Sequence, residues 1–313
     1  MKTLYYSDPA FLQHHTGQGH PECADRLTVI DKALATDNFA SLIRVQPSLA
    51  DDVEDKLQLI HTPAMIQRLL NNIPNQGLAY LDADTVVSHG SRLAALLAVS
   101  AVCDAVDKLC QAEADNAFCS IRPPGHHAEP DRPMGFCLFN NIAIAAEYAR
   151  TRYQFERIAI VDFDVHHGNG TQAAFCRQPQ VFYASSHQWP FYPGSGAATE
   201  TGVGNIVNVP LAAGSNGAEL QKKYLDFIFP ALRAFKPQLL LISAGFDAHK
   251  NDPLASLKLE EADYRWLTLQ LMAIAAEYSN SRIISVLEGG YNLKALADCA
   301  AVHVACLAGI KSV

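Results

Sequence analysis

Five short apolar runs, each followed at once by a cluster of glycine, histidine and acidic residues, constrain this chain more than any other feature. AFCSI (117–121) leads into RPPGHHA (122–128), RIAIV (157–161) into DFDVHHGNG (162–170), and QVFYAS (180–185) into SHQWPFYPGSG (186–196). QLLLIS (238–243) leads into AGFDAHKNDPL (244–254), and RIISVL (282–287) into EGGYNL (288–293). Near-continuous apolar strands of this length are buried on both faces, as in a parallel sheet covered by helices. Helix-like segments lie around them at 91–110, 141–150, 218–235 with a kink at Pro230, 261–279 and 293–309. The acids that open 261–279 suit the positive end of a helix dipole. The alternation predicts an α/β fold: a single three-layer domain over residues 1–313, its sheet mainly parallel and its helices on both faces. The first 85 residues are less periodic and rich in turn formers. They are expected to form loops and helices packed around the sheet.

In open parallel sheets, ligands bind in the crevice beyond the carboxyl ends of the strands. Every concentration of histidine, acid and glycine sits at such an end, so the five loops are expected to meet in one pocket. Ionisable groups there cost several kcal/mol each to bury unless they are paired or bound to metal. Along an extended strand, residues two apart share a face. Asp162, Asp164 and His166 therefore start out on one side, and Asp247 arrives from another strand end. A lone D-x-H reads first as a hydrogen-bonded loop in which Asp164 and His166 pair with each other. The third acid shifts the reading of Asp164, His166 and Asp247 towards a divalent-cation site.

The tandem histidines His126 and His127 suit proton transfer near neutral pH. Asp162 could orient one of them and Asn169 the other. Tyr291, after two glycines, could donate to a developing oxyanion. Phe136, Trp189, Phe191 and Tyr192 could wall an apolar slot, or simply cover the core edge. Arg122 could gather loop carbonyls, or lie on the surface. Cys137 reads as a small buried hydrophobe.

The formal net charge of -8 and the lack of a basic run argue against nucleic acid or anionic membrane as partners. The longest apolar stretch, 93–106, is short for a membrane span and carries Asp104. The N-terminus has no apolar signal core. The eight cysteines are scattered without a CxxC pair, which fits reduced thiols and a cytoplasmic location.

GHPECADRL (19–27), RPPGHHA, GFCLFNN (135–141), DFDVHHGNGTQ, PGSG, SAGFDAHKNDPL and LEGGYNL, in this order, resemble the zinc-dependent histone deacetylase family from about residue 5 to 293. LDADT (81–85), SAGFDAH and LEGGYNL are similar to its class II branch and bacterial relatives. The resemblance implies the arginase–deacetylase fold. It implies that Asp164, His166 and Asp247 bind Zn²⁺, that His126 and His127 act as the base and acid pair, and that Asp162 supports His126. Asn169 would support His127 where class I relatives carry Asp. Tyr291 would bind the substrate carbonyl, Phe136 and Tyr192 would line an acyl-lysine tunnel beside Gly135, and Asp82 would hold the substrate backbone at the rim. The family also binds potassium, for which the carbonyls of Asp162, Asp164 and His166 and the Ser185 hydroxyl fit. Leu254, at a rim position where polyamine deacetylases favour an acid, suggests an acylated lysine in a protein or peptide, or a neutral acylamide, over an acetylpolyamine. A binuclear manganese ureohydrolase would need further bridging carboxylates, and a non-catalytic binder would lack Tyr291 or a tandem histidine. Oligomeric state is not readable. His20 is expected to be structural or to support a loop near the pocket.

Overall fold

The computed structural model describes residues 1–311. Ten strands form in chain order: β1 (Thr3–Tyr6), β2 (Ile43–Val45), β3 (Leu78–Tyr80), β4 (Val86–Ser88), β5 (Asn116–Cys119), β6 (Ile158–Asp162), β7 (Val181–Gln188), β8 (Ile206–Leu211), β9 (Leu239–Ala244) and β10 (Ile283–Leu287). Eight of them make one sheet in the order β2-β1-β5-β10-β9-β6-β7-β8, and β3 and β4 make a separate hairpin. Every pairing inside the large sheet is parallel. The five strands that read as apolar runs are the five consecutive central ones. All residues of β5, β6, β9 and β10 are buried, as a sheet covered on both sides requires.

The helices are α1 (Asp25–Ala33), α2 (Val53–Leu57), α3 (Pro63–Asn71), α4 (Ser91–Cys110), α5 (Asn141–Tyr153), α6 (Asn169–Phe175), α7 (Gly217–Lys223), α8 (Phe229–Phe235), α9 (Glu261–Tyr278) and α10 (Leu293–Ala308). α1, α9 and α10 pack together in one layer, and α2, α4 and α5 pack together in another. The apolar face of α4 buries Leu96, Val99, Val102 and Val106, each worth roughly 1.5–3 kcal/mol when fully buried.

Two expectations are corrected. The first 85 residues do not only wrap the sheet: β1 is an interior strand between β2 and β5, and β2 is an edge. β1 is four residues long, and its two tyrosines reach polar partners. The Tyr6 hydroxyl donates to Asp104 at 2.6 Å, and the Tyr5 hydroxyl to Asp31. The segment 218–235 is not one kinked helix. α7 runs into a π-helical turn at Tyr224–Ile228 before α8, which has Pro230 in its first turn. Proline donates no N–H and clashes with the preceding turn, so the ladder widens ahead of it. At the other edge, the carbonyls of Asn205, just before β8, and Leu211, at its end, accept from the N–H groups of Tyr183 and Trp189. The backbone groups of the alternate residues Ile206, Asn208 and Pro210 therefore point away from β7.

Candidate active site

All five central strands end on the same side, and the loops beyond them meet. His126 and His127 follow β5; Asp162 closes β6, with Asp164 and His166 just beyond. Asp247 follows β9, and Tyr291 follows β10. Strand register explains the convergence: Asp162 stands beside both Ser185 of β7 and Ser243 of β9.

Donor atoms of Asp164, His166 and Asp247 lie within 4.8 Å of one another, and all three side chains are buried. His166 Nδ1 stands 3.2 Å from Asp164 Oδ1 and 3.1 Å from Asp247 Oδ2. Ligands about 2.1 Å from a common tetrahedral ion stand about 3.4 Å apart, so this spacing fits a divalent cation. The carboxylates are aimed by backbone donors. Gly289 N donates to Asp164 Oδ2 at 2.8 Å, and Val165 N to Asp247 Oδ1 at 2.9 Å. A side chain at Gly289 would collide with both carboxylates, so only glycine lets the loop after β10 pass this close. Burial, with the neighbouring Asp164 carboxylate, pushes the Asp247 carboxyl up to about 7. A crowded acidic pair of this kind is relieved by a bound cation.

The tandem histidines lie with ring centroids 4.0 Å apart. His126 Nδ1 meets Asp162 Oδ2 at 3.0 Å, and that oxygen also accepts from the Tyr183 hydroxyl at 3.0 Å. Burial opposes charge on His126, but Asp164 and Asp162 outweigh it and raise its pKa to about 10. His127 Nδ1 meets Asn169 Oδ1 at 2.8 Å. Burial, the His126 charge and His166 hold His127 well below the usual histidine range. Adjacent residues of one type are thus driven to opposite charge states, one by its carboxylate neighbours and the other by burial beside two further imidazoles. Burial pushes the Tyr291 hydroxyl well above its ordinary value, so it keeps its proton.

The aromatic walls are present. Tyr192 is 38% exposed and stands edge-on to His127 at 5.2 Å. Phe136 stands edge-on to Tyr291 at 5.8 Å. Phe191 stacks on His166 at 5.4 Å, while Trp189 lies off the triad against His187 at 6.4 Å. Gly135, with φ +58°, lies where a Cβ would come 2.6 Å from the His127 ring and 2.9 Å from the Tyr192 hydroxyl. Leu254 is half-buried, and its N–H donates to Asp252 Oδ1 at 2.9 Å. Asp82 is exposed, and its Oδ1 accepts from the Asp84 and Thr85 N–H groups at 3.0 and 2.6 Å. The Ser185 hydroxyl is buried, 2.9 Å from His187 Nδ1. His20 packs edge-on to Phe136 at 4.8 Å, a loop support beside the pocket. Arg122 is buried and donates to the carbonyls of Phe11 and His14 at 2.9 and 3.0 Å and to Glu22 Oε2 at 2.8 Å. Cys137 is buried, and all eight thiols are free.

Several supporting groups escaped the sequence reading. Arg26 Nε donates to the Gly290 carbonyl at 2.7 Å, and its guanidinium lies 5.1 Å over the Tyr291 ring. Glu288 Oε2 accepts from the N–H groups of Gly125 and His126 at 2.7 and 3.1 Å. Asp252 Oδ2 accepts from Tyr291 N at 2.7 Å and Asn292 N at 3.3 Å. GHPECADRL and EGGY contain Glu22, Arg26 and Glu288, but no spacing rule signals that buried acids and arginines hold loops.

Residues 20–307 match the family model described as histone deacetylase domain. The chain belongs to the histone deacetylase family. It is 36% identical over 321 residues to histone deacetylase 10, chloroplastic, of Oryza sativa subsp. japonica, covering 95% of this chain and 71% of that one. It is 34% identical over 307 residues to a histone deacetylase-like amidohydrolase of Pseudomonas aeruginosa, covering 96% and 80%. The crystal structure of the HDA15 HD domain superposes with a TM-score of 0.92 at 33% identity, over 100% of this chain and 89% of that one. The fold is the arginase–deacetylase fold, and family and fold together support a deacetylase or amidohydrolase. Among the described residues, no helix is long and apolar enough to cross a membrane.

Proposed function

We propose that this chain is a zinc-dependent amidohydrolase that removes acetyl or longer acyl groups from lysine side chains or similar acylated amines. The observation that carries the reading is the meeting of Asp164, His166 and Asp247 beside two histidines, one held by the Asp162 carboxylate and the other by the Asn169 amide. Zn²⁺ held by those three residues would polarise the amide carbonyl and bring the pKa of a bound water to about 7. His127, neutral and donating from Nδ1 to Asn169, leaves Nε2 free to accept the proton of the attacking water. His126, charged against Asp162, holds a proton for the leaving amine. Tyr291 keeps its hydroxyl proton and donates to the oxyanion. Phe136 and Tyr192 confine the acyl-lysine stem beside Gly135, and Asp82 meets the substrate backbone at the rim.

Leu254 at the rim favours acyl-lysine or a neutral acylamide over a cationic polyamine. A potassium ion on the carbonyls of Asp162, Asp164 and His166 and the Ser185 hydroxyl belongs to the same proposal, and higher turnover in KCl than in NaCl would support it. The test compares rates on an acetyl-lysine peptide, a longer acyl-lysine peptide and an acetylated polyamine, with metal counted per chain. One zinc per chain and fastest turnover of an acyl-lysine are expected. Two metal ions per chain would point to the ureohydrolase chemistry instead. Amide hydrolysis that survives complete removal of metal by a chelator would refute the reading.

A further inference from the structure

We propose that Glu129 is a positioning residue that fixes the tautomer of His127 through Asn169. The proposal rests on the reading of His127 as the proton acceptor. Asn169 stands between the two: Nδ2 donates to Glu129 Oε1 at 2.7 Å, while Oδ1 meets His127 Nδ1 at 2.8 Å. A side-chain amide has one donating end and one accepting end. A carboxylate only accepts, so Glu129 draws the donating end to itself and turns the oxygen towards His127. The imidazole must then carry its proton on Nδ1, which leaves Nε2 bare and able to take another.

Without Glu129, the neighbours of Asn169 Nδ2 are Met134 Sδ at 3.3 Å and the His127 carbonyl at 3.4 Å. Neither is a charged acceptor, and neither holds the amide against rotation as strongly. With the amide turned over, its NH₂ would face Nδ1 and favour the proton on Nε2, where the imidazole could accept nothing. Glu129 is itself clamped. Arg132 Nε and Nη2 donate to its two oxygens at 2.9 and 3.2 Å, and the Glu129 N–H donates to the Arg132 carbonyl at 2.9 Å.

The arrangement also accounts for an amide at position 169. His126 has a carboxylate in direct contact, 3.0 Å from Nδ1. At His127 the negative charge stands one group further back, and the ring itself meets only the neutral amide oxygen. A carboxylate at 169 would bring two acids to about the 2.7 Å separation of the present bond, where both cannot stay ionised.

The test uses Glu129→Ala, Glu129→Gln, Asn169→Asp and the double variant Asn169→Asp with Glu129→Gln, all loaded with zinc. kcat and KM are measured on an acetyl-lysine peptide, and ¹⁵N shifts of the His127 ring report its tautomer without turnover. Thermal melting shows that each variant is folded. Glu129→Ala should lower kcat about tenfold or more with little change in KM, and its ring signal should move towards Nε2–H. Asn169→Asp should lose at least as much. Glu129→Gln added to it should restore about tenfold, because the glutamine amide can donate to the new carboxylate. Wild-type kcat and an unmoved tautomer in Glu129→Ala would overturn the proposal, as would a double variant no better than Asn169→Asp. Full turnover by His127→Ala would instead sink the reading of His127 itself, and this proposal with it.

Discussion

Asp252→Ala should loosen the oxyanion donor without touching it. One buried carboxylate ties two loops together: Oδ2 accepts from Tyr291 N at 2.7 Å and Asn292 N at 3.3 Å, and Oδ1 from Leu254 N at 2.9 Å. A hydrogen bond to a charged group contributes about 1.5–3 kcal/mol net. Burial pushes the Asp252 carboxyl above its ordinary value, so the lower end of that range applies. Counting the two shorter bonds, the loss is about 3 kcal/mol. Unfolding entropy is about 2.1 cal/mol/K per residue, so a chain of 313 residues should lose about 5 °C in Tm. kcat should fall as well, because the loop carrying Tyr291 loses its anchor. Combined with Tyr291→Phe, Asp252→Ala should still lower Tm but take little further from kcat, since both act on one hydroxyl. Thermal melting and steady-state kinetics on the four proteins measure this. A Tm within about 1 °C of wild type, or kcat losses that simply multiply, would refute the reasoning.

Tyr291→Phe alone should cut kcat by about 100- to 1000-fold with KM little changed, the usual cost of one lost oxyanion donor; near-normal turnover would remove that role. Asp247→Asn should abolish stoichiometric zinc, read by elemental analysis after dialysis, because one charged donor of three is gone. Glu288 gives a pH dependence. Burial raises its carboxyl from 4.5 to about 7, so the folded state holds this proton more tightly than the unfolded chain does. The group's stabilising contribution is therefore full below pH 4.5 and lost as pH rises through about 7, a change of roughly 3 kcal/mol. Glu288→Gln should flatten that fall between pH 5 and 8 in thermal melts, and parallel curves for the two proteins would count against it.

The sheet's centre was legible because parallel interior strands must be apolar throughout, and β5, β6, β9 and β10 are. The meeting of their loops followed from strand polarity alone, and the structure brings Asp164, His166 and Asp247 together as the spacing suggested. The sheet's periphery was not legible. β2 is three residues long and largely exposed, and β8 interrupts its apolar pattern with Asn208 and Pro210. Edge strands carry no two-sided apolar signature, so a reading based on that signature passes over them. β1 is buried but only four residues long, too short to stand out from a region of turns. The support network was hidden for a different reason. Glu129 lies two residues from His127 in the chain, yet its partner Asn169 is forty residues away. Contacts of that kind depend on packing between loops, and periodicity says nothing about packing between loops.

β8 also decides how the molecule meets its neighbours. Strand margins invite foreign chains to add on, and this margin leaves little to grip. Pro210 offers no hydrogen, and the Ile206 N–H is already taken by the Thr201 carbonyl at 3.2 Å. Asn208 remains as a lone rung, too little for a ladder to grow from. Crowding at high concentration should therefore bring these molecules together through side chains rather than by sheet extension along this border.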